Sequence, residues 1–204
     1  MIFWTLGIGI SVAALVLAAA ARGIDPNMAY AHLAIAAATN IFFALLAIRE
    51  NQALARSGAP YPRIASNSAR FMGFVWAWAA LNLALTYGTG VLVWKEWLVF
   101  TLATVVVAGI CLLISAMMRK DAETGRTDEA MIKLGRGLAL VQLVGMIIAI
   151  VGLIVDGKMT RFLDPRHTDW AANNIFFFGA LAIAAVSAYE MRARRGGRSN
   201  EAAA

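Results

Sequence analysis

The sequence predicts an all-α fold, a polytopic integral membrane protein with six transmembrane helices in a compact bundle and both termini cytoplasmic. Three observations lead there. Apolar residues make up 61% of the 204 residues and charged residues 15%, with a mean hydropathy of +0.70. A soluble domain runs at roughly 45–50% and about 25%, so this chain has too few charges to coat a water-facing surface. The charges are also bunched, leaving six uncharged runs of 19 to 24 residues between them. At ~1.5 Å per residue each run can cross a hydrocarbon core of about 30 Å. Finally, backbone groups in lipid must be satisfied within their own segment, which makes every run a helix. The alternating segments of roughly ten residues that mark a membrane barrel are absent. Disorder, a secreted disulfide scaffold and a free cytosolic enzyme are disfavoured together.

The spans fall at 2–21, 28–48, 71–93, 97–118, 137–155 and 170–189, within a single domain covering 1–190. The first ends in Ala18-Ala19-Ala20-Ala21, small residues of the kind cleaved after a secretory signal. Its long uncharged run, with no basic side chain before it, favours a retained helix instead. The second span follows a tight external turn, residues 22–27, where Pro26 suits a first helical turn. His32, Ala36, Thr39, Asn40 and Phe43 then share one helical face.

A connection over 49–70 carries Arg49, Arg56, Arg63 and Arg70, with Ser57-Gly58-Ala59-Pro60 and Pro62 making its middle irregular. The third span is striped by Trp78, Asn82, Thr86 and Thr89. Trp94-Lys95-Glu96-Trp97 reads as a tight link whose indoles suit the interfacial aromatic belt. Thr104, Ala108, Cys111 and Ser115 stripe the fourth span. In the 119–136 connection, Thr127 is expected to cap a short helix from Asp128 to Leu134. Gln142, Gly145, Ala149 and Gly152 stripe the fifth span, and Asn173, Ala180, Ala184 and Ser187 the sixth. The basic tail, 191–204, is expected to be disordered.

Orientation follows from the basic residues. Thirteen Lys and Arg fall in the 49–70 and 119–136 connections and the tail, against five on the other side. Positive residues stay cytoplasmic, so the net charge of +6 is chiefly a topology signal. No nucleic-acid partner is expected. The expected partners are the bilayer, anionic lipid headgroups at the basic loops and tail, and a protein partner or second copy of the chain. The alanine-rich, arginine-heavy composition suggests a bacterial inner membrane.

Ala38-Thr39-Asn40-Ile41-Phe42-Phe43 matches Ala172-Asn173-Asn174-Ile175-Phe176-Phe177 at five of six positions. In a chain this rich in Ala, Ile and Phe, that match does not establish a repeat.

The interior carries the functional clues. None of the 18 basic or 12 acidic side chains falls inside a span, which argues against proton-coupled pumping and voltage sensing. Asn40 and Asn82 are placed near the midplane of adjacent helices and are expected to face one another or a shared cavity. With Gln142, Asn173 and Asn174 they make the candidate polar contact or pore set. Interhelical packing through small residues and amides explains most such stripes. His32, His167 and Asp169 form a candidate external metal set, although their spacing matches no metal motif. No catalytic residue and no cofactor is predicted. Ser11 lacks a histidine at matching depth, and Cys111 stands alone. The expectation is a non-catalytic accessory or assembly subunit of the membrane. The alternatives are a small channel or uniporter for an uncharged or weakly polar solute, constricted near Asn40 and Asn82, and a haem, metal or enzyme site at His32 and His167.

Overall fold

The computed structural model describes residues 2–22, 28–86, 94–125, 129–155 and 178–192. Their elements are α1 (Ile2–Arg22), α2 (Met28–Arg56), α3 (Tyr61–Thr86), α4 (Trp94–Thr124), α5 (Glu129–Val155) and α6 (178–192). Among the described residues there is no strand. Three helices are long and apolar enough to cross a membrane: Phe3–Ala21, Tyr30–Arg56 and Thr101–Thr124. The described residues are thus all-helical with three helices able to span a membrane, in line with the composition.

The helices outrun the uncharged spans, which corrects several sequence expectations. The 49–70 connection is mostly helix: α2 continues through Arg56, and α3 begins at Tyr61. Only Ser57-Gly58-Ala59-Pro60 is irregular. The third helix starts ten residues before its expected span and ends at Thr86; residues 87–93 lie outside the described residues. Trp94-Lys95-Glu96-Trp97 is the first turn of α4 rather than a link. The 119–136 connection is likewise largely absorbed, since α4 runs to Thr124 and α5 starts at Glu129. Charge marks where lipid ends, not where helical backbone ends, because Arg, Glu, Gln, Lys and Ala are all good helix formers. Pro26 and Thr127 lie outside the described residues, as do Ala172–Phe177 and the tail beyond 192.

The α2–α3 turn is held by local chemistry. The Ala59 N–H donates to the Leu54 carbonyl at 3.0 Å, and the Gly58 N–H to the Ala55 carbonyl at 3.2 Å. This pair of bonds closes a Schellman motif, which needs a left-handed residue just past the helix; Gly58 supplies it at φ +69°. Pro62 then sits in the first turn of α3, where a missing N–H costs nothing.

α3 is the axis of the bundle, and its tightest neighbour is α4. Ala65, Ala69 and Gly73 recur every four residues on α3, letting the two backbones approach. A Cβ added at Gly73 would lie 2.7 Å from Leu112 Cγ and 3.2 Å from the Ala108 carbonyl oxygen. The same closeness allows reciprocal bonds. The Ser66 hydroxyl donates to the Ser115 carbonyl at 2.8 Å, and the Ser115 hydroxyl to the Ser66 carbonyl at 2.7 Å. Five helices supply the core. Trp4 comes from α1, Phe43 from α2, Phe71, Met72 and Val75 from α3, Cys111 from α4, and Ile183 and Val186 from α6. α5 joins through Leu138.

Outside this core the bundle is apolar. Phe3, Ile10 and Leu17 on α1, Val99, Val106 and Leu113 on α4, and Val141, Ile148 and Val155 on α5 are all exposed, as lipid-facing positions would be. Among the described side chains, the exposed charged residues gather at one end. There Trp4 of α1 bonds Glu50 of α2, Arg63 of α3 pairs with Glu123 of α4 at 3.8 Å, and Tyr61 of α3 bonds Glu190 of α6.

Candidate functional site

A row of bonded polar side chains follows the seam between α2 and α3. On α2 the stripe reads His32, Ala36, Asn40, Phe43, Ala47 and Asn51; on α3 it reads Asn67, Phe74, Trp78 and Asn82. Spacings of three, four and seven keep each series on one helical face. Because the helices run antiparallel, His32 meets Asn82 at one end and Asn51 meets Asn67 at the other. Between them the Phe43 and Phe74 rings touch, with centroids 4.3 Å apart.

At the charged end the side chains form a connected network. The Arg70 guanidinium donates to Glu50 Oε2 at 2.6 Å, and the Trp4 indole N–H donates to Glu50 Oε1 at 2.8 Å. Arg70 also donates to Asn67 Oδ1 at 2.5 Å. The Asn67 amide nitrogen in turn donates to Asn51 Oδ1 at 2.8 Å and to the Ala47 carbonyl at 3.2 Å. The Asn51 amide then donates to the Ser68 hydroxyl at 2.9 Å. Asn51 and Ser68 are completely buried, while the Glu50 and Arg70 side chains keep 30% and 33% of their surface exposed. The ion pair therefore sits at the rim and the neutral amides sit inside, an arrangement that spares the interior an unpaired charge. Beside it, Tyr61 donates to the buried carboxylate of Glu190 at 2.5 Å.

At the opposite end of the seam an imidazole meets an amide. The Asn82 amide nitrogen donates to the Trp78 carbonyl at 2.7 Å, which leaves Asn82 Oδ1 as the acceptor for His32 Nε2 at 3.1 Å. That geometry places the hydrogen on Nε2 of His32. Both residues are buried. This register gives Asn82 to His32 rather than to Asn40, and leaves the shared cavity expected for Asn40 and Asn82 as the alternative. Asn40 lies eight residues beyond His32 along α2, about 12 Å at ~1.5 Å per residue.

Of the remaining sequence candidates, Gln142 is buried on α5 with Oε1 unpartnered. His167, Asp169, Asn173 and Asn174 lie outside the described residues. Among the described residues no three His, Cys, Asp or Glu side chains cluster as a metal site would require.

Sequence reasoning missed Trp4, Glu50, Asn51, Tyr61, Asn67, Ser68, Arg70 and Glu190. Their signal was present: continuing the α2 stripe by four residues past Ala47 reaches Asn51. The limit at the first charged residue hid it.

What this arrangement does chemically is tie helices together. Its carboxylates and amides are engaged with one another, and no nucleophile–base pair is formed by the contacts described. Comparison with protein-family models, with curated proteins and with solved structures finds no match.

Proposed function

We propose that this chain is a non-catalytic accessory or assembly subunit of a bacterial inner membrane, spanning it six times with both termini cytoplasmic. The observation that carries the reading is the contrast between the seam and α5. In the seam the polar groups at both ends are spent on holding helices together. On α5, Gly137, Gly145 and Gly152 face open space among the described residues, since a Cβ added at any of them meets none of these within 4 Å. Exposed Val141, Val144, Ile148 and Val151 flank them. Small residues set among large apolar ones suit the close approach of a further membrane helix, from a partner or a second copy.

Orientation rests on the basic residues at the charged end. Arg49, Arg56, Arg63, Arg119 and Lys120 are exposed there and suit the anionic headgroups of a cytoplasmic leaflet. A channel constricted at Asn82 has less support, because both polar atoms of that amide are engaged by His32 and Trp78.

Native mass spectrometry of protein extracted from its own membrane tests the proposal. The expected result is a fixed-ratio complex with one polypeptide or a second copy. Gly145→Leu and Gly152→Leu are expected to abolish it without lowering the melting temperature of the isolated chain. A chain that carries only lipid adducts would overturn it.

A further inference from the structure

The middle of the α2–α3 seam holds two buried polar atoms that the network does not use. Asn40 Oδ1 and Trp78 Nε1 are both buried without a hydrogen-bond partner, in residues only 2% and 3% exposed. One is an acceptor and the other a donor.

Their placement follows from the contacts around them. Phe43 and Phe74 touch across the seam. One turn along each helix from that contact, three residues back on α2 and four forward on α3, stand Asn40 and Trp78. Continuing the same way reaches the bonded pair His32 and Asn82. The register between these two contacts places Asn40 and Trp78 within about one helical turn of each other across the seam. Trp78 is held by near-parallel stacking on Phe74 at 6.2 Å, an interplanar angle of 15°. Ala36, one turn from Asn40 on the same face, contributes only a methyl group to the seam.

Buried donors and acceptors in folded proteins are almost always paired, directly or through an ordered small molecule. A hydroxyl complements this pair: its hydrogen bonds the acceptor and its oxygen receives the donor. From this we infer a buried site between α2 and α3 for one water-sized hydroxyl molecule, water or a small alcohol, which donates to Asn40 Oδ1 and accepts from Trp78 Nε1. The site is flanked by the aromatic contact on one side and by His32 and Asn82 on the other. A charged or bulky solute has no counterpart there. This inference is independent of the accessory-subunit reading, which depends on α5.

Solid-state NMR of the full chain in lipid bilayers, with ¹⁵N-labelled indoles, tests the site. The Trp78 resonance is assigned by its loss in Trp78→Phe. The expected result is magnetisation transfer from water to the Trp78 indole N–H, abolished in Asn40→Leu. Trp78→Phe provides the complementary view: transfer from water to the Asn40 side-chain carbonyl is expected in the native chain and lost in this variant. Adding ¹³C-methanol separates the two sources. Transfer from its methyl group identifies a site open to small alcohols, and transfer from water alone identifies a water site. A Trp78 indole that shows no hydroxyl contact, or that bonds Asn40 directly, would overturn the inference.

Discussion

The Arg70 guanidinium lies 4.6 Å from the centroid of the Trp4 ring, and both side chains bond the same carboxylate, that of Glu50. A cation above an indole face is attracted by the ring quadrupole, and the shared acceptor fixes the orientation of both. Three helices are thereby joined at one point, with the charge kept near the rim.

Removing one member of this trio leaves another without its partner. Glu50→Gln and Arg70→Met are each expected to lower unfolding free energy by about 1–3 kcal/mol, since a half-buried charge loses its counterpart. The double variant should lose less than the sum of the two. Denaturant unfolding in detergent, run as a double-mutant cycle, measures the coupling.

Asn67 connects the ion pair to the buried amide layer through Asn51 and the Ala47 carbonyl. Asn67→Leu is expected to cost about 1–3 kcal/mol, because Asn51 stays buried with its acceptor unmet. Isolated interhelical bonds in membranes are worth nearer ~0.6 kcal/mol, so a larger loss would mark the network as cooperative. The same unfolding assay distinguishes the two magnitudes.

The glycines divide into packed and open positions. Gly73→Val is expected to cost about 1–3 kcal/mol by forcing α3 from α4, whereas Gly9→Ala and Gly109→Ala should be neutral or stabilise by up to about 1 kcal/mol, the helix preference of Ala over Gly. At Gly73 an added carbon meets the Leu112 side chain and the Ala108 carbonyl, while at Gly9 and Gly109 it meets none of the described residues within 4 Å. Melting temperatures of the three variants check the ranking.

His32 is expected to carry its hydrogen on Nε2, as its contact with Asn82 Oδ1 requires. ¹⁵N spectra of labelled histidine should show that tautomer in the native chain and a changed Nε2 environment in Asn82→Leu. A hydrogen found on Nδ1 alone would reverse the assigned donor and acceptor.

Much of this fold was legible in the sequence, and the limit of legibility has a physical cause. The buried stripe His32, Ala36, Thr39, Asn40 and Phe43 follows from helical spacing alone, as does Thr104, Ala108, Cys111 and Ser115. Hydropathy measures the lipid-facing length of a helix, so α2 and α3 were foreshortened at Arg49 and Phe71. The network at Glu50, Asn51, Asn67 and Arg70 lies in those excluded ends. Pairing across the seam was harder still. Whether Asn82 meets Asn40 or His32 depends on the register of two helices, which the tight turn at Gly58 sets and periodicity does not. Glu190 stayed hidden because its burial depends on Tyr61, far away in the chain.

The charged end, where α2 turns into α3 and α4 ends, is proposed to face the cytoplasm. Single cysteines at Ser57 and Thr124, in a Cys111→Ala background, test it with a membrane-impermeant maleimide. Both are expected to be labelled in inside-out vesicles and protected in intact cells. Labelling of either cysteine from outside intact cells would contradict the topology, and labelling on opposite sides would break the bundle's common end.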